Sequence, residues 1–134
     1  MAFTAKLKIL DDKRLRALIA DAGNQGQAWA EETAENILDE ADRLMQGSKT
    51  GVQYPNLPNR SSAPGEAPAV QSGELIRSGK AEGRGASVRV VYDDPKAPML
   101  ELGNSRVAPR PFLRPAFDAE KPRAIKRAKE IVEG

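Results

Sequence analysis

A chain of 134 residues in which 30% are charged and only 4% aromatic has room for one modest, aliphatic core. It contains neither cysteine nor histidine, which excludes disulfides, Cys/His zinc sites and Ser–His or Cys–His nucleophile pairs. The formal net charge is +2, unevenly spread: residues 11–46 hold nine acids and four bases, net −5, and residues 106–134 hold eight bases and four acids, net +4. An acidic end and a basic end suit head-to-tail self-association, and they equally describe two solvated helix faces of unlike sign.

No apolar run approaches the roughly 18–20 residues that span a bilayer. Met1–Leu10 alternates polar and apolar residues instead of forming the apolar block of a signal peptide. The expectation is a soluble chain made in the cytoplasm, with no membrane partner. The 21 proline and glycine residues are too many for a helical bundle. They point to a small fold of one domain, 1–134, with long loops.

Taken in order, Phe3, Ala5, Leu7 and Ile9 share one face of a strand over 3–10, opposite Thr4, Lys6 and Lys8. Asp11 or Asp12 caps a helix with Leu15, Leu18, Ile19 and Ala22 inward. Gly23-Asn-Gln-Gly26 predicts a break or kink, after which Trp29 or Ala30, Ala34, Ile37, Leu38, Ala41, Leu44 and Met45 restore the helical period. Gly47 closes that helix. Unbroken, 12–46 would be a rod of about 50 Å.

Residues 47–71 carry four prolines, three glycines and no apolar period. An extended loop of this length is functional or disordered. With only Tyr54, Leu57 and Val70 to bury, it is expected to be mobile in the free subunit and ordered on assembly. Ser72 reads as the N-cap of a short helix over 73–79, with Leu75 and Ile76 turned inward. Gly79–Gly85 reads as a turn, with Lys80–Glu82 able to pair as a hairpin, and Ala86–Tyr92 as the clearest strand. Asp93-Asp-Pro95 opens another short helix through Met99, Leu100 and Leu102 to Gly103. A loop spans 104–111. Phe112, Leu113 and Phe117 then anchor a terminal helix with Pro122 in its first turn and Ile125, Ala128 and Val132 buried.

Chemistry-bearing motifs are sparse. Gly79-Lys80 lacks the spacing of a phosphate loop and has Ala81 where Ser or Thr is needed. Glu31, Glu32, Glu35 and Asp39 line a helix face that is better read as solvated than as a metal site. No catalytic residue, cofactor or metal is implied. Arg106, Arg110 and Arg114 project from a proline-punctuated loop, either toward phosphates or, the favoured reading, toward acids of another subunit. Phe112 and Leu113, with Leu75, Ile76, Leu100 and Leu102, are the structural anchors around them.

Three stretches together carry a resemblance: Ser62-Ala-Pro-Gly-Glu-Ala-Pro-Ala-Val-Gln-Ser-Gly-Glu-Leu-Ile-Arg-Ser78, then Leu100-Glu-Leu-Gly103 after the strand ending at Tyr92, then Arg110-Pro-Phe-Leu-Arg-Pro-Ala116. In this order, across roughly residues 48–118, they resemble the neck or tail-completion proteins of long-tailed bacteriophages. Ser72, Asn104 and Gly79 depart from the usual pattern. The resemblance implies an α+β fold, a long N-terminal helix packed on a small antiparallel sheet, with long loops and a C-terminal helix. It also implies a non-catalytic virion protein whose copies, commonly six, ring the DNA channel at the head–tail junction. Its partners would be itself and other neck proteins, on the portal or adaptor side and on the tail-tube or terminator side. Genomic DNA would pass without sequence-specific contact. The interface expected comprises Tyr54, Pro64, Glu66, Pro68, Arg106, Arg110 and Arg114. The alternative is a small nucleic-acid-binding module using the basic C-terminal region, which offers no aromatic platform for bases.

Overall fold

The computed structural model describes residues 3–134 and has an α+β architecture in which a long helix packs on a three-stranded antiparallel sheet and a second long helix packs along the first. The first strand, β1 (Phe3–Leu7), keeps the predicted alternation, with Phe3, Ala5 and Leu7 half-buried and Thr4 and Lys6 exposed. Asp12 caps α1 (Lys13–Ala20), its Oδ1 accepting from the backbone N–H of Arg14 at 2.9 Å and of Leu15 at 3.1 Å. The chain then breaks at Gly23, which takes φ +60, and restarts as α2 (Asn24–Gln46). The break expected at Gly23-Asn-Gln-Gly26 is thus present, and 12–46 is two helices, not one rod. The second helix buries Trp29, Ala30, Ala34, Ile37, Ala41 and Met45, the predicted stripe. Gly47 ends it with an ordinary extended φ of −69, so glycine's left-handed freedom is not what stops the helix.

After a long loop come a single turn, α3 (Glu74–Arg77), a hairpin of β2 (Gly79–Arg84) and β3 (Ser87–Tyr92), and a short α4 (Ala97–Leu102). The sheet order is β1-β3-β2. The stretch read as a turn over 79–85 is thus mostly strand, and only Gly85 (φ +58) and Ala86 turn the hairpin. Its strand signal is an alternation of small and charged residues, with no large apolar side chain to announce it. Cross-strand rows explain why. Phe3, Tyr92 and Gly79 form one inward row, Ala5, Val90 and Ala81 the next, and Leu7, Val88 and Gly83 the third. The β2 member of each row is small, so α2 lies almost on the strand's backbone. A Cβ at Gly83 would stand 2.3 Å from the carbonyl carbon of Ala30, and one at Gly79 would stand 2.7 Å from Leu38 Cδ1.

The last helix, α5 (Leu113–Glu133), packs along α2. Its buried residues are Leu113, Ala116, Glu120, Ala124 and Ala128, so the buried stripe runs one position before Ile125 and Val132 is only half-buried. Pro122 sits inside this helix and not in its first turn. Proline removes one intrahelical bond. Here Pro122 and Asp118, whose carbonyl would have received it, are both exposed and open to water. Trp29 Nε1 donates to the Ala124 carbonyl at 2.8 Å, and Tyr92 stacks edge-on to Phe112 with centroids 5.0 Å apart. The Tyr92 hydroxyl donates to Asp42 Oδ1 at 2.8 Å. Burial raises the Asp42 carboxyl above the usual aspartate range, and the bond from Tyr92 partly offsets that.

Two ion pairs join the acidic and basic segments inside the subunit. Arg123 of α5 reaches Glu32 of α2 at 3.2 Å and the buried Glu120 at 2.5 Å, Glu120 also accepts from Asn36, and Lys121 meets Asp11 at 3.1 Å. No described helix is long and apolar enough to cross a membrane.

Candidate functional site

The three stretches that carry the resemblance fold into one unit beneath the end of α2. Its first part is a turn. Pro64 precedes Gly65, whose φ of +88 only glycine adopts without strain, and Glu66 N–H closes the turn on the Ala63 carbonyl at 3.0 Å. The Glu66 carboxylate then takes three donors: Ala63 N–H at 2.7 Å, Thr50 N–H at 3.0 Å and Thr50 Oγ1 at 2.9 Å. These bonds, the backbone ones first, hold the Glu66 carboxyl below the usual glutamate range. Glu66, expected at an interface, is half-buried and bonded within its own loop.

Other bonds hold the rest of that loop. Gly51 N–H reaches the Ser61 carbonyl at 2.9 Å, and Ser61 N–H returns to the Val52 carbonyl at 3.0 Å. Asn59 N–H donates to Gln71 Oε1 at 3.1 Å, and Gln71 Nε2 donates to the Asn59 carbonyl at 3.0 Å. At its start Lys49 Nζ donates to the Leu44 carbonyl at 2.6 Å, and burial lowers its pKa. The loop expected to lack local order has a bonded framework made of polar rather than apolar contacts. Ser72 Oγ accepts from Glu74 N–H at 3.2 Å, as a cap would, while Gly73 at φ +83 is the residue that turns into α3.

The second and third stretches meet at Glu101. Only 8% exposed, its carboxylate accepts from the backbone N–H groups of Phe112 (2.9 Å), Leu113 (2.8 Å) and Arg114 (3.1 Å), the unpaired donors at the start of α5. An anion placed there also opposes the helix dipole favourably. Sequence reading missed Glu101, because a lone glutamate between two leucines gives no local sign of what it will cap. The helix it lies on starts later than expected: Asp94 Oδ1 and its carbonyl receive Lys96 and Ala97 N–H, so α4 opens at Ala97. Ala97 and Glu101 lie four residues apart on the buried face. Leu102, one residue further round, is 68% exposed and is not an anchor. Phe112 and Leu113 are buried as expected.

First and third stretches are stitched together by Gly65 N–H to the Pro109 carbonyl at 3.0 Å and by Arg110 Nε to the Ser62 carbonyl at 3.4 Å. Arg110 N–H also reaches the Leu100 carbonyl at 2.6 Å. Between them lies a cavity of about 500 Å³ whose apolar wall includes Tyr54, Leu57, Val70, Leu75, Ile76 and Leu100. Pro64, Pro68 and Arg110 line it too. Seven of the residues singled out in the sequence therefore share one hollow: Tyr54, Pro64, Pro68, Leu75, Ile76, Leu100 and Arg110. Tyr54 is half exposed, Pro64 is exposed, and Pro68 is buried in the subunit itself.

The three arginines do not act alike. Arg106 is exposed on a turn held by Asn104, whose Oδ1 accepts from Arg106 and Val107 N–H at 2.8 and 2.9 Å. Arg114 is exposed, pairs with Asp118 at 3.2 Å and lies 5.8 Å from the Phe117 ring centre. Arg110 is half-buried and serves the loop junction. No group of three or more potential metal ligands exists among the described residues. The hollow presents apolar wall, backbone and a few charged tips, among them Glu74, Lys96 and Arg110. Comparison with known protein families, curated proteins and solved structures finds no match to this chain.

Proposed function

We propose that this chain is a non-catalytic structural subunit of the head–tail junction of a long-tailed bacteriophage, built to assemble with copies of itself into a ring around the DNA channel. The carrying observation is the convergence of the three resembling stretches: Glu101 caps the start of α5, Arg110 and Gly65 join the first stretch to the third, and all three border one apolar hollow. Residues scattered over 62–116 form a single module, as an inherited assembly surface would. On this reading the neighbours are further copies, commonly six, and neck proteins toward the head and toward the tail. Tyr54, Pro64, Arg106 and Arg114 are the sequence-selected side chains still presented to them.

The nucleic-acid-binding alternative is less well supported. Of the basic residues on α5, Lys121, Arg123 and Arg127 already face carboxylates within the subunit. Sedimentation of intact particles tests the proposal. The protein should travel with virions at a low, symmetric copy number, and its presence only in the free cytosolic fraction would overturn the reading.

A further inference from the structure

We infer that the outer face of the β-sheet docks the acidic face of α2 from a second copy of this chain, head to tail. This deepens the ring reading by naming the two surfaces that meet.

The outer sheet face is as polar as the inner face is apolar. Its rows are Thr4, Val91 and Lys80, then Lys6, Arg89 and Glu82, then Ser87 and Arg84. Four bases thus stand around one acid. Glu82 is taken by Arg89, and no carboxylate among the described residues lies in ion-pair distance of Lys6, Lys80 or Arg84, all exposed. Lys6 stands directly opposite Arg89 across the β1–β3 pair, an arrangement that costs stability in an isolated sheet.

The helix face mirrors this in the other sign. Residues 24–42 contain six acids and no base. Glu31, Glu32, Glu35 and Asp39 are exposed on the side of α2 turned away from the core. Glu32 is met by Arg123, but no ion pair among the described residues neutralises Glu31, Glu35 or Asp39. Glu31 with Glu35, and Glu35 with Asp39, are like charges four residues apart, each pair unfavourable on a lone helix.

Two patches of opposite sign therefore stand on one subunit, one on the outer sheet face and one on the exposed face of α2. That helix adjoins the sheet at the β2 edge, where Gln27 bonds both Glu31 and the Gly83 carbonyl. Among the described residues the patches form no ion pair with each other within the chain. Between copies they can meet, and each contact leaves one patch of either sign free for the next copy. Such a heterologous contact closes into a ring or continues as a filament. A nucleic acid on the sheet face would use only the basic patch and leave the acidic stripe without a role, whereas a second copy uses both. Complementary patches of this kind also steer encounter and set orientation.

The test is charge reversal with complementation. One variant carries Lys6→Glu, Lys80→Glu and Arg84→Glu, and the other Glu31→Lys, Glu35→Lys and Asp39→Lys. Unfolding midpoints of both should stay near wild type, because the side chains are exposed. In low salt, sedimentation velocity should show wild-type self-association that weakens as salt is added. Each variant alone should associate at least tenfold more weakly, and an equimolar mixture should recover assembly, since each then presents what the other needs. The inference is overturned by variants that associate like wild type, by a mixture that fails to recover, or by wild-type protein monomeric up to millimolar concentration. It also falls if the sheet-face variant loses duplex DNA binding while self-association is unchanged. Particles that incorporate both variants normally would sink this pairing and leave the ring reading standing. Absence of the wild-type protein from particles would sink the ring reading whatever happens in solution.

Discussion

The Glu101 carboxylate lies 2.8 Å from the backbone nitrogen of Leu113, joining the last turn of α4 to the first turn of α5 across the arginine loop. The same side chain receives Phe112 and Arg114 N–H, so one buried glutamate supplies what α5 lacks from its own sequence, a side-chain cap. Glu101→Ala leaves these donors without a partner in a buried place. The expected loss is about 2–4 kcal/mol, because a bond to a charged group and desolvated donors are lost together. Glu101→Gln keeps one acceptor oxygen and should lose about half as much. Urea unfolding of the two variants measures this, and equal stability of Glu101→Ala and wild type would show that the cap contributes nothing.

Gly83 and Gly85 should separate close packing from backbone freedom. Gly83→Ala drives a methyl to 2.3 Å from the α2 backbone, which cannot rotate aside as a side chain can. Prising α2 from the sheet should cost roughly 3 kcal/mol or more. Gly85 has open space and φ +58, so Gly85→Asn, which tolerates that region, should cost less than about 1 kcal/mol. Thermal melts of both variants check the order.

Two apolar residues flanking the arginine loop should behave oppositely. Phe112 is fully buried against Tyr92, and Phe112→Ala should cost about 3–5 kcal/mol. Leu102 is 68% exposed, and Leu102→Ala should stay within about 0.5 kcal/mol of wild type. A Leu102→Ala variant that unfolds like Phe112→Ala would mean the α4 register is different.

Acid should release the 47–71 loop through Glu66. Its folded pKa is lowered from the ordinary value of 4.5, so its contribution is fully present above that value and is lost as pH falls through the lowered folded value. The amide resonances of Thr50 and Ala63, its donors, should move together with a midpoint below 4.5. In Glu66→Gln that titration should vanish. A midpoint at or above the ordinary value would show that the three donors do not favour the ionised carboxyl.

The arginines flanking Phe112 should divide. Arg114→Glu touches an exposed pair and should shift stability by less than about 0.5 kcal/mol. Arg110→Glu replaces a half-buried donor to the Ser62 and Ala108 carbonyls with an acceptor, and should cost about 1–2 kcal/mol. Chemical unfolding of each single variant distinguishes them, and equal stabilities would place Arg110 outside the loop junction.

What the sequence determined by itself is what repeats along the chain. Period two marked β1, β-branched residues marked β3, a 3.6-residue period marked α2 through Ala34, Ile37 and Met45, Asp11 or Asp12 announced a cap, and Gly23-Asn-Gln-Gly26 a break or kink. The α+β class came from the resemblance and holds, and Phe112 and Leu113, expected as anchors before the terminal helix, are buried. Tertiary structure decided the rest. Gly79–Arg84 became a strand because α2 needed small residues beneath it, a requirement invisible until the helix is in place. Glu101 became a cap, and Leu102 a surface residue, because α5 begins beside one face of α4. Pro122 lies within α5 because that distant cap lets the helix start nine residues earlier, on a side where water can satisfy the orphaned carbonyl. Periodicity records which side of an element is apolar. It does not record which partner arrives there, because contacts between residues far apart in the chain are set by the packing of whole elements.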